Sequence, residues 1–203
     1  MGERWTLLLV RNLLLGPRRY RDLMDELPGI TTNLLAKRLR ELAKAGLIEK
    51  VQGDGASPAT VYALTAAGAA LEPVVMELGR WGGRYMDRPK KGDALNMGWG
   101  LLSMKRRYKG GESFVAEIAA GDVTFELAFS PKYLAVTQRA CPAADVRVAG
   151  SLDAVRSLLL GGASGQALRK DGALVVRGRE IAWHRLLAAF APPTFPMPGA
   201  PSS

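Results

Sequence analysis

Residues 28–50, PGITTNLLAKRLRELAKAGLIEK, restrict the possible folds of this chain more than any other stretch. Thr31 or Thr32 offers a side-chain oxygen to an orphan backbone N–H at a helix start. Leu35, Leu39 and Leu42 follow at a spacing that lines one helical face. At about 100° per residue, Asn33, Lys37, Arg40 and Lys44 gather on the opposite face. Gly46 supplies a C-terminal stop, because a left-handed backbone costs glycine little. The spacing predicts a short helix with an apolar back and a cationic, amide-bearing front. Such a front fits the major groove of DNA, whose base edges a helix can read. Taken by itself it better suits an ordinary solvated surface helix. The flanking sequence decides between the two.

Upstream, residues 4–14 are dense in Trp and Leu, which predicts a largely buried helix ended by Gly16-Pro17. RRYRDLMDEL, residues 18–27, predicts a second helix with Tyr20, Leu23, Met24 and Leu27 on one side. Pro28-Gly29 then makes a tight turn into the cationic helix, which is the layout of a helix-turn-helix. Downstream, LIEKV and TVYAL read as two short strands around the loop QGDGASPA, placing a hairpin where a wing would sit. Thr65 can cap the next helix, AAGAALEPVVMELGRWGGRYM, and Pro73 is expected to start a second helical segment within it. That helix is apolar over much of its circumference and needs either a partner or the first helix of its own chain.

In this order and spacing, ERWTLLLVRNLLLGPRRYRDL, LPGITTNLLAKRLRELAKAGLIEK and VYALTAAGAALEPVVMELGRWG resemble the HxlR-type family of bacterial winged helix-turn-helix transcription regulators, over about residues 3–86. The resemblance implies a homodimer paired through the first helix and the helix after the wing, with Trp5, Leu8, Leu9, Leu71, Val75, Leu78 and Trp81 at the contact. It also implies double-stranded DNA as partner, in the form of a palindromic operator. Arg18, Arg19 and Thr31 are expected to hold phosphates, while Asn33, Lys37 and Arg40 face base edges. Thr32, Ala36 and Lys44 complete the helix's DNA-facing set. The wing has no Lys or Arg between Gln52 and Tyr62, which leaves Ser57 and Thr60 as its candidate contacts. Many members of this family carry a sensing cysteine shortly before the segment matching Trp5. Residues 1–4 hold none, so such sensing is not expected of this sequence, an upstream start codon aside.

Residues 87–93 read as a linker from their polar, Pro- and Gly-containing composition. Beyond them the expected order is a helix over 94–108, strands SFVAEIA and VTFELAFS around a Gly121-Asp122 turn, strands YLAVTQ and DVRVAG, and a Ser-capped helix SLDAVRSLLLG. A strand ALVVRG and a last helix EIAWHRLLAAF follow. The glycine-rich segment LLLGGASGQALRKDG lacks the Gly-Lys-Ser/Thr ending of a phosphate loop and reads as turns. VAGSLDAVRSLLLGG and GALVVRGREIAWHRLLAAF resemble the sterol-carrier-protein-2 (SCP2)-like fold. That resemblance implies an α+β domain over 94–191 with an apolar cavity for a hydrophobic small-molecule effector; the alternative is a dry domain that supports dimerisation. Residues 192–203 are Pro-rich and expected to be disordered. The expected fold class is therefore α+β, a winged helix-turn-helix domain over 1–86 joined to an SCP2-like domain.

Composition bounds the rest. The net charge of +9 favours a polyanionic partner, yet the excess is spread: fifteen Lys and Arg against ten Asp and Glu in residues 1–91, and thirteen against nine in 92–203. No apolar run reaches bilayer length, no secretory leader is laid out at the N-terminus, and a single cysteine, Cys141, fits a reducing cytoplasm. His184 is the only histidine, and with Cys141 it lacks the clustered ligands of a metal site. No catalytic residue, cofactor or metal is expected, and no membrane partner. The sequence thus predicts a cytoplasmic, homodimeric, sequence-specific DNA-binding repressor and not an enzyme. The rival reading is a lipid- or metabolite-binding protein whose helix-turn-helix serves protein interaction.

Overall fold

The computed structural model describes residue 3 and residues 5–53, 59–82, 85, 97–160 and 163–189, without the side chains of residues 106, 107 and 160. The expected linker, the expected tail and Ser57 lie outside the described residues, as do the expected domain limits at 86 and 94. The chain divides into two compact units, residues 1–76 and 77–203.

The first unit runs α1 (Thr6–Leu13), β1 (Arg18–Arg19), α2 (Tyr20–Glu26), α3 (Thr32–Lys44), β2 (Ile48–Gln52), β3 (Thr60–Leu64) and α4 (Ala66–Ala69); α5 (Glu72–Gly82) contains the division between the units. Leu35, Leu39 and Leu42 of α3 are buried with Leu9 and Leu13 of α1, Leu23 of α2, and Leu27, Ile30 and Ile48. The expected leucine face is therefore the core face. The strands form an antiparallel sheet of order β1-β3-β2.

One boundary differs from the sequence reading. Residues 18–19 are not helical but extended, pairing with Tyr62 and Val61 of β3. The helix begins at Tyr20 because the carboxylate of Asp22, in its first turn, accepts the Arg19 amide at 3.0 Å and so closes the helix start there. The end of α3 matches expectation: Gly46 has φ +70°, its N–H reaches the Ala43 carbonyl, and the Leu47 N–H reaches the Leu42 carbonyl. These two bonds make a Schellman stop. Thr65 then ties the returning wing strand to this stop, donating its hydroxyl to the Gly46 carbonyl at 2.6 Å and accepting the Gly68 N–H at 3.1 Å. Pro73 lies in the first turn of α5, as its chemistry requires.

The second unit comprises α6 (Met97–Arg107), β4 (Phe114–Ala120), β5 (Val123–Phe129), β6 (Leu134–Thr137), β7 (Val146–Gly150), α7 (Leu152–Leu160), α8 (Gly165–Lys170), β8 (Leu174–Gly178) and α9 (Glu180–Ala189). Its sheet has the order β6-β5-β4-β7-β8, parallel only between β4 and β7. Alternate residues of β4, namely Phe114, Ala116, Ile118 and Ala120, are buried, and Leu101, Met104, Val155, Leu158, Trp183 and Leu186 of the helices are buried too. The mixed α+β class stands as expected. The glycine-rich segment read as turns instead contains α8. Ser164 caps it by accepting the Ala167 N–H at 3.1 Å, and Gly165 serves packing, since a Cβ there would overlap Leu187.

The opposite sheet face carries a charged row in register, Glu126, Glu117, Arg147 and Arg177 on neighbouring strands. Three of these staple the β6–β7 crossover onto the sheet. Glu126 takes a two-pronged Arg139 guanidinium at 2.7 and 2.9 Å, Glu117 accepts the Cys141 amide at 2.6 Å, and Arg147 donates to the Cys141 and Pro142 carbonyls.

Two outcomes follow for stability. Gly68→Ala should destabilise the first unit although alanine is the better helix former by about 1 kcal/mol, because a Cβ would overlap the Leu47 carbonyl oxygen; a raised melting temperature would contradict this packing. Arg139 holds the Glu126 carboxyl below its usual range by hydrogen bonding to it. A depressed acid stabilises above its unfolded pKa and loses that contribution as pH falls. Arg139→Gln should therefore lower the melting temperature at neutral pH, with the gap to wild type closing as the pH is taken down through and below the usual carboxylate range.

Candidate nucleic-acid interface

The leucine anchoring of α3 leaves its other side in solvent. Thr31 caps the helix, its hydroxyl accepting the Leu34 N–H at 3.3 Å, and Thr31, Thr32, Asn33, Lys37, Arg40 and Lys44 are all exposed. Ala36 is half-buried. Lys37 sits 4.0 Å from Glu41, a pairing that leaves its side chain 61% exposed. Arg38 is a cation of a different kind: it is buried on the inner side, 2.6 Å from Glu3 and 2.5 Å from Glu41, and anchors the helix instead of facing outward.

The expected phosphate contacts separate. Arg19 is exposed beside the helix-turn-helix, whereas Arg18 is 5% exposed, its Nε 3.5 Å from Glu26 and its Nη1 donating to the Pro17 carbonyl. Arg18 is corrected from a phosphate ligand to an internal brace, because its strand pairing with Tyr62 turns the side chain inward. Burial lowers the Arg18 guanidinium, lowers Arg11 to about 10, and raises the Glu26 carboxyl. Mutual attraction opposes each of these shifts, so the charges persist only as a group. Above this group, Tyr20 donates its hydroxyl to the Thr32 carbonyl at 2.7 Å, fixing α2 to the first turn of α3.

At the wing, Thr60 is exposed opposite Gln52. Lys50 of β2, which the sequence reading passed over, is exposed with its ammonium 5.7 Å from the centre of the Tyr62 ring. It lies two residues before the cation-free interval that begins at Gln52.

The expected dimerisation residues also separate. Leu9 is fully buried among the core leucines of its own chain, so it is removed from the contact set. Trp5 and Leu8 are half-buried against that core, and Leu71 and Val75 are half-buried. Leu78 and Trp81 are exposed, and with them Val74 and Tyr85. Val74, Leu78, Trp81 and Tyr85 recur at steps of four, three and four, an apolar stripe of larger size than isolated surface residues need. The rings of Trp81 and Tyr85 lie 5.3 Å apart.

Elsewhere, His184 is exposed, 3.7 Å from Glu180. Cys141 is buried, and its thiol is pushed up first by burial and then by the Glu126 carboxylate, to which it hydrogen-bonds. Among the described residues no three His, Cys, Asp or Glu gather as a metal site, and no helix is long and apolar enough to cross a membrane. Because only the thiolate reacts, Cys141 should be alkylated at neutral pH roughly tenfold or more slowly in the folded protein than after denaturation. Equal rates would contradict the burial of the thiol.

Residues 1–90 match the family described as HxlR-like helix-turn-helix. An uncharacterised HTH-type transcriptional regulator of Bacillus subtilis, YkvN, is 34% identical over 88 residues, which cover 43% of this chain and 75% of that protein. A second from the same organism, YdeP, is 34% identical over 94 residues, covering 46% and 73%. The HTH-type transcriptional regulator YodB of B. subtilis is 30% identical over 87 residues, covering 43% and 78%.

Proposed function

The chain belongs to the HxlR-like helix-turn-helix family of DNA-binding transcription regulators, and from that premise we propose that it acts in the cytoplasm as a homodimeric, sequence-specific repressor. The observation that carries this reading is the simultaneous exposure of Asn33, Lys37, Arg40 and Lys44 on a helix whose other side is locked by leucines. Asn33 suits adenine, and Lys37 and Arg40 suit guanine. Arg19, Thr31 and the amides at the start of α3 hold the neighbouring phosphates, with Lys50 and Thr60 at the wing. Two copies meet through the exposed stripe of α5 together with Trp5 and Leu8, giving a two-fold arrangement that calls for a palindromic operator.

The second unit, an SCP2-like sensor over 94–191, takes a hydrophobic effector between its helices and sheet. Support comes from Trp183, which is fully buried and whose indole N–H meets no acceptor among the described residues. A buried donor of this kind is satisfied at little cost by a ligand oxygen.

Arg40→Ala should cost about 1–3 kcal/mol in operator binding while leaving random-sequence affinity nearly unchanged. An equal fall on both would make Arg40 a phosphate contact. For the assembly, Leu78→Asp should convert a dimer to a 21.8 kDa monomer in sedimentation; an unchanged mass would place the contact elsewhere. Mass spectrometry of the intact purified protein would detect a retained effector.

A further inference from the structure

Cations are unevenly placed in the second unit. Between Met97 and Ala189 thirteen Lys and Arg face eight Asp and Glu. The whole excess resides in Lys105, Arg106, Arg107, Lys109 and Lys132, since the remainder of that span holds eight of each sign. Most of those remaining cations are spoken for: Arg139, Arg147, Arg156, Arg169, Arg179 and Arg185 each lie against a carboxylate of the same unit.

The fold brings two of them, Lys109 and Lys132, onto adjoining segments beside the end of α6. Lys105, Arg106 and Arg107 occupy the last turn of α6. The chain leaving that turn is pinned to the β5–β6 connection, because Tyr108 donates its hydroxyl to the Ser130 carbonyl at 2.9 Å. Gly110 passes so close that a Cβ would overlap the Pro131 carbonyl oxygen. The connection itself is closed by the Ser130 N–H on the Tyr133 carbonyl at 3.0 Å and by the Tyr133 N–H on Ser130 Oγ at 3.1 Å. Lys109, Lys132 and Tyr133 consequently stand exposed on adjoining segments, and neither lysine forms an ion pair with a described carboxylate. Complementing the negative end of α6 accounts for cations in its last turn. It does not account for Lys109, beyond the helix, or for Lys132, on a different connection.

We propose that this patch is a second phosphate-binding surface, which grips the backbone of double-stranded DNA outside the bases read by α3. Lysines with a tyrosine hydroxyl beside them are the ordinary ligands of backbone phosphate and carry no sequence information. Apart from Pro131 and Tyr133 the exposed residues here offer nothing apolar to insert into lipid, too little for the apolar face that an interfacial membrane contact requires. The proposal rests on the DNA-binding reading above but can fail separately.

The test compares the full-length protein with Lys109→Gln/Lys132→Gln and with Lys109→Glu/Lys132→Glu on a long random-sequence duplex across a salt series. Each phosphate contact contributes about 0.9 to the slope of log affinity against log salt. The Gln pair should flatten that slope by about 2 for each subunit engaged on the duplex, making the loss of affinity between about 50 and 200 mM salt roughly tenfold smaller per subunit. The Glu pair should weaken binding further, while thermal unfolding stays unchanged in both. Wild-type binding with the same slope in all three proteins would overturn the second surface and leave the DNA-binding reading standing. No duplex binding by wild type would overturn both. Phosphatidylserine vesicles provide the last arm: lysine-dependent vesicle binding with an unaltered DNA slope would assign the patch to a membrane and overturn the proposal.

Discussion

A helix can offer one face to a groove only while its other face is held still. Here Leu35, Leu39 and Leu42 do the holding, buried against α1, α2 and Ile48. Removing each such side chain from water contributes about 1.5–3 kcal/mol. Arg38 adds a charged anchor on the same inner side, bridging Glu3 and Glu41. The ends of the helix are fixed as firmly as its middle, by the Thr31 cap at the start and by the Gly46 stop with its Thr65 tie at the finish. Orientation relative to α2 depends on the Tyr20 bond to the Thr32 carbonyl, while the Arg11, Arg18 and Glu26 group ties α2 to α1 and β1. That group is worth little as a source of stability, since desolvation offsets attraction. Its value lies in geometry: breaking it would strand a charge, so alternative angles between the helices are disfavoured.

The second unit uses charge differently. Its in-register Glu126, Glu117 and Arg147 are half-exposed on the sheet and spend themselves on the β6–β7 crossover. The same staple seats Cys141 against Glu126, which keeps the thiol protonated and removes it from ready redox chemistry. With most arginines between β6 and α9 lying against carboxylates, Lys109 and Lys132 are left exposed on the segments that follow α6 and β5.

Periodicity alone made α3 legible, because a leucine every three or four residues has one geometric meaning next to a Thr cap and a Gly stop. The strands of the second unit were legible for a similar reason, alternation and a Gly-Asp turn. What stayed hidden was tertiary in origin. Nothing local distinguishes Arg18 from Arg19, and only pairing with β3 sends one inward and the other out. Leu9 and Leu8 look equivalent until neighbouring helices bury Leu9. The glycine of α8 imitates a turn signal, although it is there to admit Leu187 and Trp183. Of the apolar positions read from sequence around α5, Leu78 and Trp81 are exposed and Leu71 and Val75 half-buried, whereas Val74 and, beyond the helix end, Tyr85 emerge only from exposure.

The most direct test of the central claim is recovery of bound fragments from random DNA by the full-length protein. A symmetric pair of α3 helices set in successive major grooves predicts an inverted repeat, with half-site centres about one helical turn, 10–10.5 base pairs, apart or a multiple of it. Enrichment of a single unrepeated motif, or of no motif at all, would contradict it.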